Sequence, residues 1–508
     1  GLVGSEMCIR DRNEAMDKTG GNASFVVSAG DQIQTTKKKS PGKSEMTSEI
    51  EYTGYLSPDV LKSLPVATTV GNHDADNANY TYHFNTPNSS DLGSNGVVGG
   101  DYYFTYGNTL FMMLNTQDTN AAEHKQFMEQ AIAANPNCTW RVVTLHQDIY
   151  GSAEHSNEPE ITNLRYTLVP YFEANDVDVV LTGHDHAYSR THILEGGHKT
   201  VEYTDDEFDA ELDKDMDAGE NPATRYEAPA NISADSKEPA DVAYLNYLNA
   251  VMDKDAVEDT EKGETVVNPD GILYMTANSS SGSKYYDLVP RMQSYIANRW
   301  QEDVPTYSVI DVTDNTFTIN TYRTDNDQKI DETFTIKKGV TEDIKSASVG
   351  KVKNQIYTGK QIQPALKVTL NGKTLKAGKD YTVTYTDNKN TGLAKATING
   401  IGKYTGTQTV TFKIVPKKAV LKTVKAGKSG TATVTIGKAG GKVSGYAIQV
   451  STDSSFKKVT TYRTAKTTYT LKNLSKGKTY YVRVKAFTKI SDKNVYGAAS
   501  KTIKVKAK

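Results

Sequence analysis

Between Ala23 and Leu181, five short apolar runs each end on a side chain that can hold a metal ion or a proton, and this limits the fold more than any other feature. Ser24-Phe-Val-Val-Ser28 leads into Gly30-Asp31, and Leu64-Pro-Val-Ala-Thr-Thr-Val70 into Gly71-Asn72-His73-Asp74. Leu110-Phe-Met-Met-Leu114 leads into Asn115, Arg141-Val-Val-Thr-Leu145 into His146, and Val177-Asp-Val-Val-Leu181 into Gly183-His184-Asp185-His186. Apolar runs of this length bounded by turn residues read as buried strands. Between the last two, Ile161, Leu164, Leu168 and Phe172 recur at spacings of three and four, one face of a helix. Strands alternating with helices build α/β layers. In open α/β sheets, sites gather at the carboxyl ends of the strands.

Four of those ends deliver Asp31, Asn72, His73, His146, His184 and His186. Carboxylate, amide oxygen and neutral imidazole together suit a first-row metal such as Zn, Mn or Fe. One carboxylate can bridge two ions about 3.5–4 Å apart, a pair that polarises a phosphoryl group and generates hydroxide near neutral pH. All 9 histidines lie between His73 and His198, so imidazole chemistry is confined to the first part of the chain.

In this order, Gly30-Asp31, Gly71-Asn72-His73-Asp74, His146 and Gly183-His184-Asp185-His186 resemble the calcineurin-like metallophosphoesterases. Gly183-His-Asp-His-Ala-Tyr-Ser-Arg190 is similar to the purple acid phosphatase branch. The resemblance covers roughly residues 20–338 and implies a four-layer αββα sandwich. It implies two metal ions (Fe, Mn or Zn), with Asp31 bridging them. Asn72, His146 and His184 would complete the second site, and His186 would bind the first ion. His73, oriented by Asp74, would face the phosphate and the leaving-group oxygen. His155, on the loop after Leu145-His-Gln-Asp-Ile-Tyr-Gly-Ser152, would contact substrate. The reaction implied is in-line attack of a metal-bound hydroxide on a phosphate ester, with a protonated histidine assisting the leaving group. His83, His124 and His198 read as surface or packing residues.

Two departures accompany the resemblance. The family's first motif, upstream of Asp31, is absent, which leaves the first ion only Asp31 and His186. Gln34 stands where purple acid phosphatases carry their phenolate ligand, so no purple charge-transfer band is expected. Residues 1–12, Gly1-Leu-Val-Gly-Ser-Glu-Met-Cys-Ile-Arg-Asp-Arg12, resemble a translated sequencing adapter and are set apart from the fold. The native upstream segment is then expected to be missing.

Charge divides the 508 residues further. Residues 1–340 carry 25 Lys and Arg against 55 Asp and Glu, and residues 341–508 carry 34 against 6, so a formal net charge of −2 conceals two opposite parts. The expected layout is a catalytic domain over 13–338 followed by two all-β sandwich modules, 341–415 and 417–508. Within the first, residues 193–270 hold 22 acidic against 6 basic residues and read as an insertion, a helical lid with a solvated acidic face. Asp213, Asp215 and Asp217 lack the glycine position and closing glutamate of an EF-hand loop. Thr306–Val312, Thr316–Tyr322 and Thr333–Ile336 read as a closing meander.

In the tail, Asn371-Gly372, Asp387–Asn390 and Asn399-Gly400 read as turns. Tyr357-Thr-Gly-Lys360 with Gly378-Lys-Asp-Tyr-Thr-Val-Thr-Tyr385 resembles bacterial immunoglobulin-like modules, and Leu474-Ser-Lys-Gly-Lys-Thr-Tyr480 resembles the fibronectin type III corner, with Tyr480 as its packing tyrosine. Both resemblances imply an extracellular or cell-surface bacterial protein. Lysine outnumbers arginine 32 to 2 after residue 340, which disfavours base readout of nucleic acid and suits an anionic cell-wall polymer or a soluble spacer. No run approaches the roughly 18 apolar residues of a membrane span. Only Cys8 and Cys138 are present, so no disulfide framework exists. The functional expectation is a metal-dependent phosphomonoesterase. Its rivals are a non-catalytic surface-binding protein with a degenerate phosphoesterase domain, and a phosphodiesterase or nucleotidase.

Overall fold

The computed structural model describes residues 6–36, 44–197, 204–217, 232–258, 265–282 and 284–508. The chain divides into two compact units, 1–338 and 339–508.

The first unit opens with α1 (Glu6–Lys18), β1 (Val26–Ser28), α2 (Ser44–Tyr55), β2 (Val66–Thr68) and the single turn α3 (Tyr80–His83). It continues with β3 (Tyr102–Tyr106), β4 (Thr109–Met113), α4 (Ala121–Ala134), β5 (Trp140–Thr144), α5 (Pro159–Ala174), β6 (Val179–Thr182) and β7 (Tyr188–Thr191). The acidic insertion supplies α6 (Asp205–Asp217) and α7 (Pro239–Met252). Strands β8 (Thr265–Val267), β9 (Leu273–Thr276), β10 (Ile296–Trp300), β11 (Thr306–Val312), β12 (Thr316–Arg323) and β13 (Phe334–Lys337) complete it.

Seven strands form one sheet in the order β10-β7-β9-β6-β5-β4-β3, with β4, β5, β6 and β9 parallel. A second sheet runs β11-β12-β13-β8, and β1 pairs β2 in parallel. The central strands are apolar on both sides because both sides are covered. One face presents Leu110, Met112, Val143 and Val180 to Phe127 and Met128 of α4 and to Ile161, Leu168 and Phe172 of α5. The opposite face presents Phe111, Val142, Val179 and Leu181 to Phe317, Ile319, Phe334 and Ile336 of the second sheet. Helix α1 packs on β11, so the layers run helix, sheet, sheet, helix as expected.

Helix α1 passes through residues set apart above. Arg12 Nη1 donates to Tyr55 O at 2.9 Å, and Lys18 Nζ lies 2.5 Å from Asp327 Oδ2. The acidic run forms α6, whose Phe208 and Leu212 pack on Tyr247, Leu248 and Val251 of α7. The side chains of Asp215 and Asp217, and all of His198, lie outside the described residues.

The second unit holds two β modules. The first centres on Ile344, Val368, Leu375, Tyr381 and Ile398, with Ala394, Ala396, Phe412 and Ile414 on a further face. The second centres on Leu421, Val434, Ile448, Leu471, Val482 and Val484. Tyr480 Oη accepts from Ser475 N at 3.0 Å, closing the corner. Asn371-Gly372 is a tight hairpin turn, but Asn399 and Gly400 end a strand, Gly392–Gly400, in which they pair Thr407 and Tyr381.

Candidate metal centre

Four strand ends meet at one place. Strand β1 ends at Ser28 and hands the chain to Gly30-Asp31, and its partner β2 leads through Val70 to Gly71-Asn72. Strands β5 and β6 lead to His146 and His184. The pairs lock together where Ala29 O accepts from His146 Nδ1 at 2.7 Å.

With its Nδ1 proton given to Ala29, a neutral His146 presents the Nε2 lone pair. That atom lies 2.9 Å from Asn72 Oδ1, 3.1 Å from His184 Nδ1 and 3.4 Å from Asp31 Oδ2. The ligand atoms of Asp31, His146 and His184 all lie within 4.8 Å of one another. Burial, then the neighbouring His146 and His155, depress the pKa of His184 to about 2, so its ring is neutral. A neutral His184 can donate its Nδ1–H to His146 Nε2 or, as the other tautomer, turn that lone pair to a cation, and carboxylate, amide oxygen and imidazole together are a donor set that fits one. Burial opposes a charged His146, but Asp31 outweighs it and raises its pKa. Burial likewise pushes Asp31 up, and His146 and His73 together bring it below the ordinary carboxylate range.

The backbone is strained where the donors sit. Asp31 has φ 53° and His184 φ 69°, the left-handed region that non-glycine residues seldom occupy, and such residues cluster at functional sites at about 1–3 kcal/mol each. The flanking glycines allow the approach. A Cβ on Gly71 would lie 2.1 Å from Asp31 Oδ1, and one on Gly30 would lie 2.5 Å from His146 Nδ1.

His73 stands at the edge of this cluster. Its backbone N–H donates to Asp31 Oδ1 at 2.9 Å, and its Nε2 is 4.0 Å from Asp31 Oδ2. Its ring is held by Gln34 O, 2.7 Å from Nδ1, which corrects the expectation that Asp74 orients it. Asp74 is turned the other way, into the loop. Its carboxylate accepts from Gly71 N at 3.0 Å, Gln32 N at 3.3 Å and Tyr52 Oη at 2.9 Å. Burial and then Asp31 raise its pKa to about 7. Asp74 therefore shapes the turn that carries Asn72 and His73.

His186 lies apart from the donor cluster, since no group of three ligand residues among the described residues includes it. Its Nδ1 donates to Lys284 O at 2.8 Å. His155 reaches the site on a 3₁₀ turn, Glu154–Asn157, with its ring 4.7 Å from that of His184. Its Nδ1 is 2.7 Å from Glu158 Oε1. Burial works against its charged form, but Glu158 and Asp185 prevail and raise its pKa. Asp185, fully buried between the two histidines, accepts from the backbone N–H groups of Ala153, His155 and Ser156 at 3.1–3.3 Å and so fastens this turn to the strand end.

Elsewhere, His124 is fully buried against Asp101, with Nδ1 2.7 Å from Oδ2, and His83 pairs with Glu49 at 2.9 Å. A second acidic group, Glu195, Glu258 and Asp270, contains no imidazole. Glu258 accepts there from the backbone N–H groups of Asp270 and Gly271. Sequence reasoning missed Lys284 and Tyr286. The Tyr286 ring lies 4.8 Å from that of His155 and 5.0 Å from that of His186. Nothing in their spacing marks them, because the acidic insertion separates them from the histidines they meet.

A helix-sheet-sheet-helix sandwich with carboxylate, amide and imidazole donors at parallel strand ends defines a metallophosphoesterase architecture. Residues 7–188 match the calcineurin-like phosphoesterase family, and residues 421–502 match the fibronectin type III domain. The chain carries a calcineurin-like metallophosphoesterase domain followed by a fibronectin type III domain. Two uncharacterized Mycobacterium tuberculosis proteins are 26% identical over 156 residues, 26% of this chain. The chain spans 29% of the length of these curated relatives. A purple acid phosphatase from yellow lupin (Lupinus luteus) seeds is similar in structure with a TM-score of 0.40 at 13% identity, over 65% of this chain and 49% of that one. An anchor protein of the Plasmodium inner membrane complex gives 0.36 at 13% identity, over 66% and 85%.

Proposed function

We propose that this chain is a metal-dependent phosphomonoesterase of the acid phosphatase type, secreted or held at the cell surface. The observation that carries the reading is the convergence of carboxylate, amide and imidazole groups from Asp31, Asn72, His146 and His184 at the strand ends. These four residues would hold one ion. Asp31 and His186 would contribute to a second, which needs ligands from elsewhere to bind tightly. Bound there, such ions polarise a phosphoryl group and lower the pKa of water.

The protein's own side chains supply the rest. His73, held by Gln34 O at Nδ1 and by its backbone N–H donated to Asp31 Oδ1, would turn Nε2 to the reacting phosphate. His155, its charged form favoured by Glu158, would contact the substrate and give a proton to the leaving oxygen. The test is hydrolysis of 4-nitrophenyl phosphate by the full chain, stripped with a chelator and reloaded with Mn, Zn or Fe in turn. Hydrolysis should vanish on stripping and return on reloading. A chain inactive with every ion is a binding protein and not an enzyme.

We further read residues 341–415 as a bacterial immunoglobulin-like module. With its neighbour it forms a lysine-rich tail carrying a formal net charge of +28. Such a charge suits retention on anionic wall polymer by a salt-sensitive attraction. Residues 339–508 should co-sediment with phosphate-rich wall polymer at low salt and be released by about 0.5 M salt, where screening is nearly complete beyond contact. Release should not occur with neutral polysaccharide, because none should bind. Equal retention on both polymers would sink this part of the reading.

A further inference from the structure

After β9 the chain returns to the site histidines through Lys284 and Tyr286. Lys284 O accepts from His186 Nδ1 at 2.8 Å, which pins this backbone to a site histidine. The Lys284 ammonium lies 4.3 Å from the centroid of the Tyr286 ring and within hydrogen-bonding contact of Tyr286 Oη. The same ring touches both His155 and His186. Lys284 is exposed, and among the described residues no carboxylate is paired with it. It is a cation braced on an aromatic ring beside the site, with its charge unspent.

That placement matters because its surroundings are anionic. The domain carries a formal net charge of −30 over residues 1–340. Around the histidines themselves, Glu158 holds His155 and Asp185 lies between His184 and His186. A phosphate monoester carries close to two negative charges at neutral pH, since its second pKa is about 6, and a diester carries one. A fixed ammonium lowers the energy of the dianion more than that of the monoanion, in proportion to charge. Hydrogen bonds to charged partners are also the stronger ones.

We propose that Lys284, braced on Tyr286 beside His186, is a phosphate-recognition residue that makes the site prefer dianionic monoesters to diesters. The inference rests on the phosphomonoesterase reading above and adds the residue that sets the preference for monoesters over diesters. The ammonium acts on the non-bridging phosphate oxygens and takes no part in bond breaking.

The test compares the metal-loaded full chain with Lys284→Met and Lys284→Arg. Lys284 uses only its backbone oxygen to hold His186, so both variants should keep the fold. For 4-nitrophenyl phosphate, Lys284→Met should lower kcat/KM by about tenfold or more, mainly through KM, as expected for loss of a charged hydrogen bond. For bis(4-nitrophenyl) phosphate the change should stay within about threefold, and Lys284→Arg should preserve the preference. Calorimetry of inorganic phosphate with the same proteins should show Kd about tenfold weaker in Lys284→Met alone. Equal losses on both esters, or unchanged phosphate binding in Lys284→Met, overturn the proposal. A wild-type chain that hydrolyses neither ester defeats the phosphoesterase reading, and the phosphate titration still decides the role of Lys284.

Discussion

A Gly71→Ala chain should fold and yet lose its divalent ion. The new Cβ would lie 2.1 Å from Asp31 Oδ1 and 2.2 Å from Asp31 N. The first contact could be relieved by swinging a side chain. The second involves backbone, and that backbone already sits at φ 53° with its carboxylate tied to His73 N. Asp31 must therefore move, and it carries the only formal charge among the four donors. Displacing a ligand by about 1 Å at a preorganised centre costs roughly 100-fold, in ion affinity and in any activity that depends on the ion. Gly30→Ala should act similarly, because it combines φ 97° with a Cβ 2.5 Å from His146 Nδ1. Gly107→Ala is the control, since it too has positive φ, 59°, but its Cβ meets nothing within 4 Å. It should cost about 1 kcal/mol of stability and leave the ion in place. Calorimetric titration with Mn²⁺ alone reads all three. A Gly71→Ala chain that binds Mn²⁺ within about threefold of the parent would show that the close approach of the two loops is not what positions Asp31.

The donors at the strand ends were legible because two sequence signals coincide there. Apolar runs covered on both faces announce buried strands, and β4, β5, β6 and β9 fall on such runs. A polar residue just past each run marks the carboxyl end. Where a strand lacks that pattern, the sequence conceals it. Tyr188-Ser-Arg-Thr191 is wholly buried yet mostly polar, because Arg190 brings its own counter-charge. Strand β8, with two of its three residues exposed, buries too little to show a periodicity. Helix α2 is also quiet in sequence, its apolar contribution to the adjoining core being chiefly Tyr52 and Tyr55. The group that orients His73 is hidden in the sequence for a related reason. Its partner is a backbone oxygen, Gln34 O, and backbone atoms leave no mark on composition. The asparagine-glycine pairs show how context decides a local signal. At Asn371-Gly372, φ values of 48° and 84° close a two-residue hairpin. At Asn399-Gly400 the same pair is drawn into a ladder with partners on both sides, and pairing overrides the turn preference.

Arg190→Ala should cost about 3–5 kcal/mol of stability in the first unit, the largest loss expected from any surface-distant residue of the His184 motif. Arg190 Nε and Nη2 donate to Asp331 Oδ2 at 2.6 Å and Oδ1 at 3.1 Å, and Tyr188 Oη adds a bond to Oδ2 at 2.7 Å. Arg190 is 8% exposed and Asp331 9%, so truncating the arginine strands a buried carboxylate. The guanidinium also covers the Phe334 ring at 4.5 Å, so the same change opens the packing between the two sheets. Burial pushes the Asp331 carboxyl up, but Arg190 outweighs it and the net shift is downward. A depressed folded pKa means stability that is fully present above the unfolded value of about 4 and lost as pH falls through the folded value. The gap between parent and Arg190→Ala should therefore be widest near neutral pH and narrow below about pH 4, where protonation removes the stranded charge in the variant. Urea unfolding followed by tryptophan fluorescence isolates the effect, because both tryptophans, Trp140 and Trp300, lie in the first unit. Replacing the pair together, Arg190→Met with Asp331→Leu, should recover much of the loss, since no charge is then left buried. A single variant that costs less than about 1 kcal/mol, or a double variant no better than the single, would mean that the pair is solvated enough to behave as a surface bridge. The basic residue of the motif would then have to be explained by the chemistry of the site, four residues after His186, and not by the sandwich that holds it.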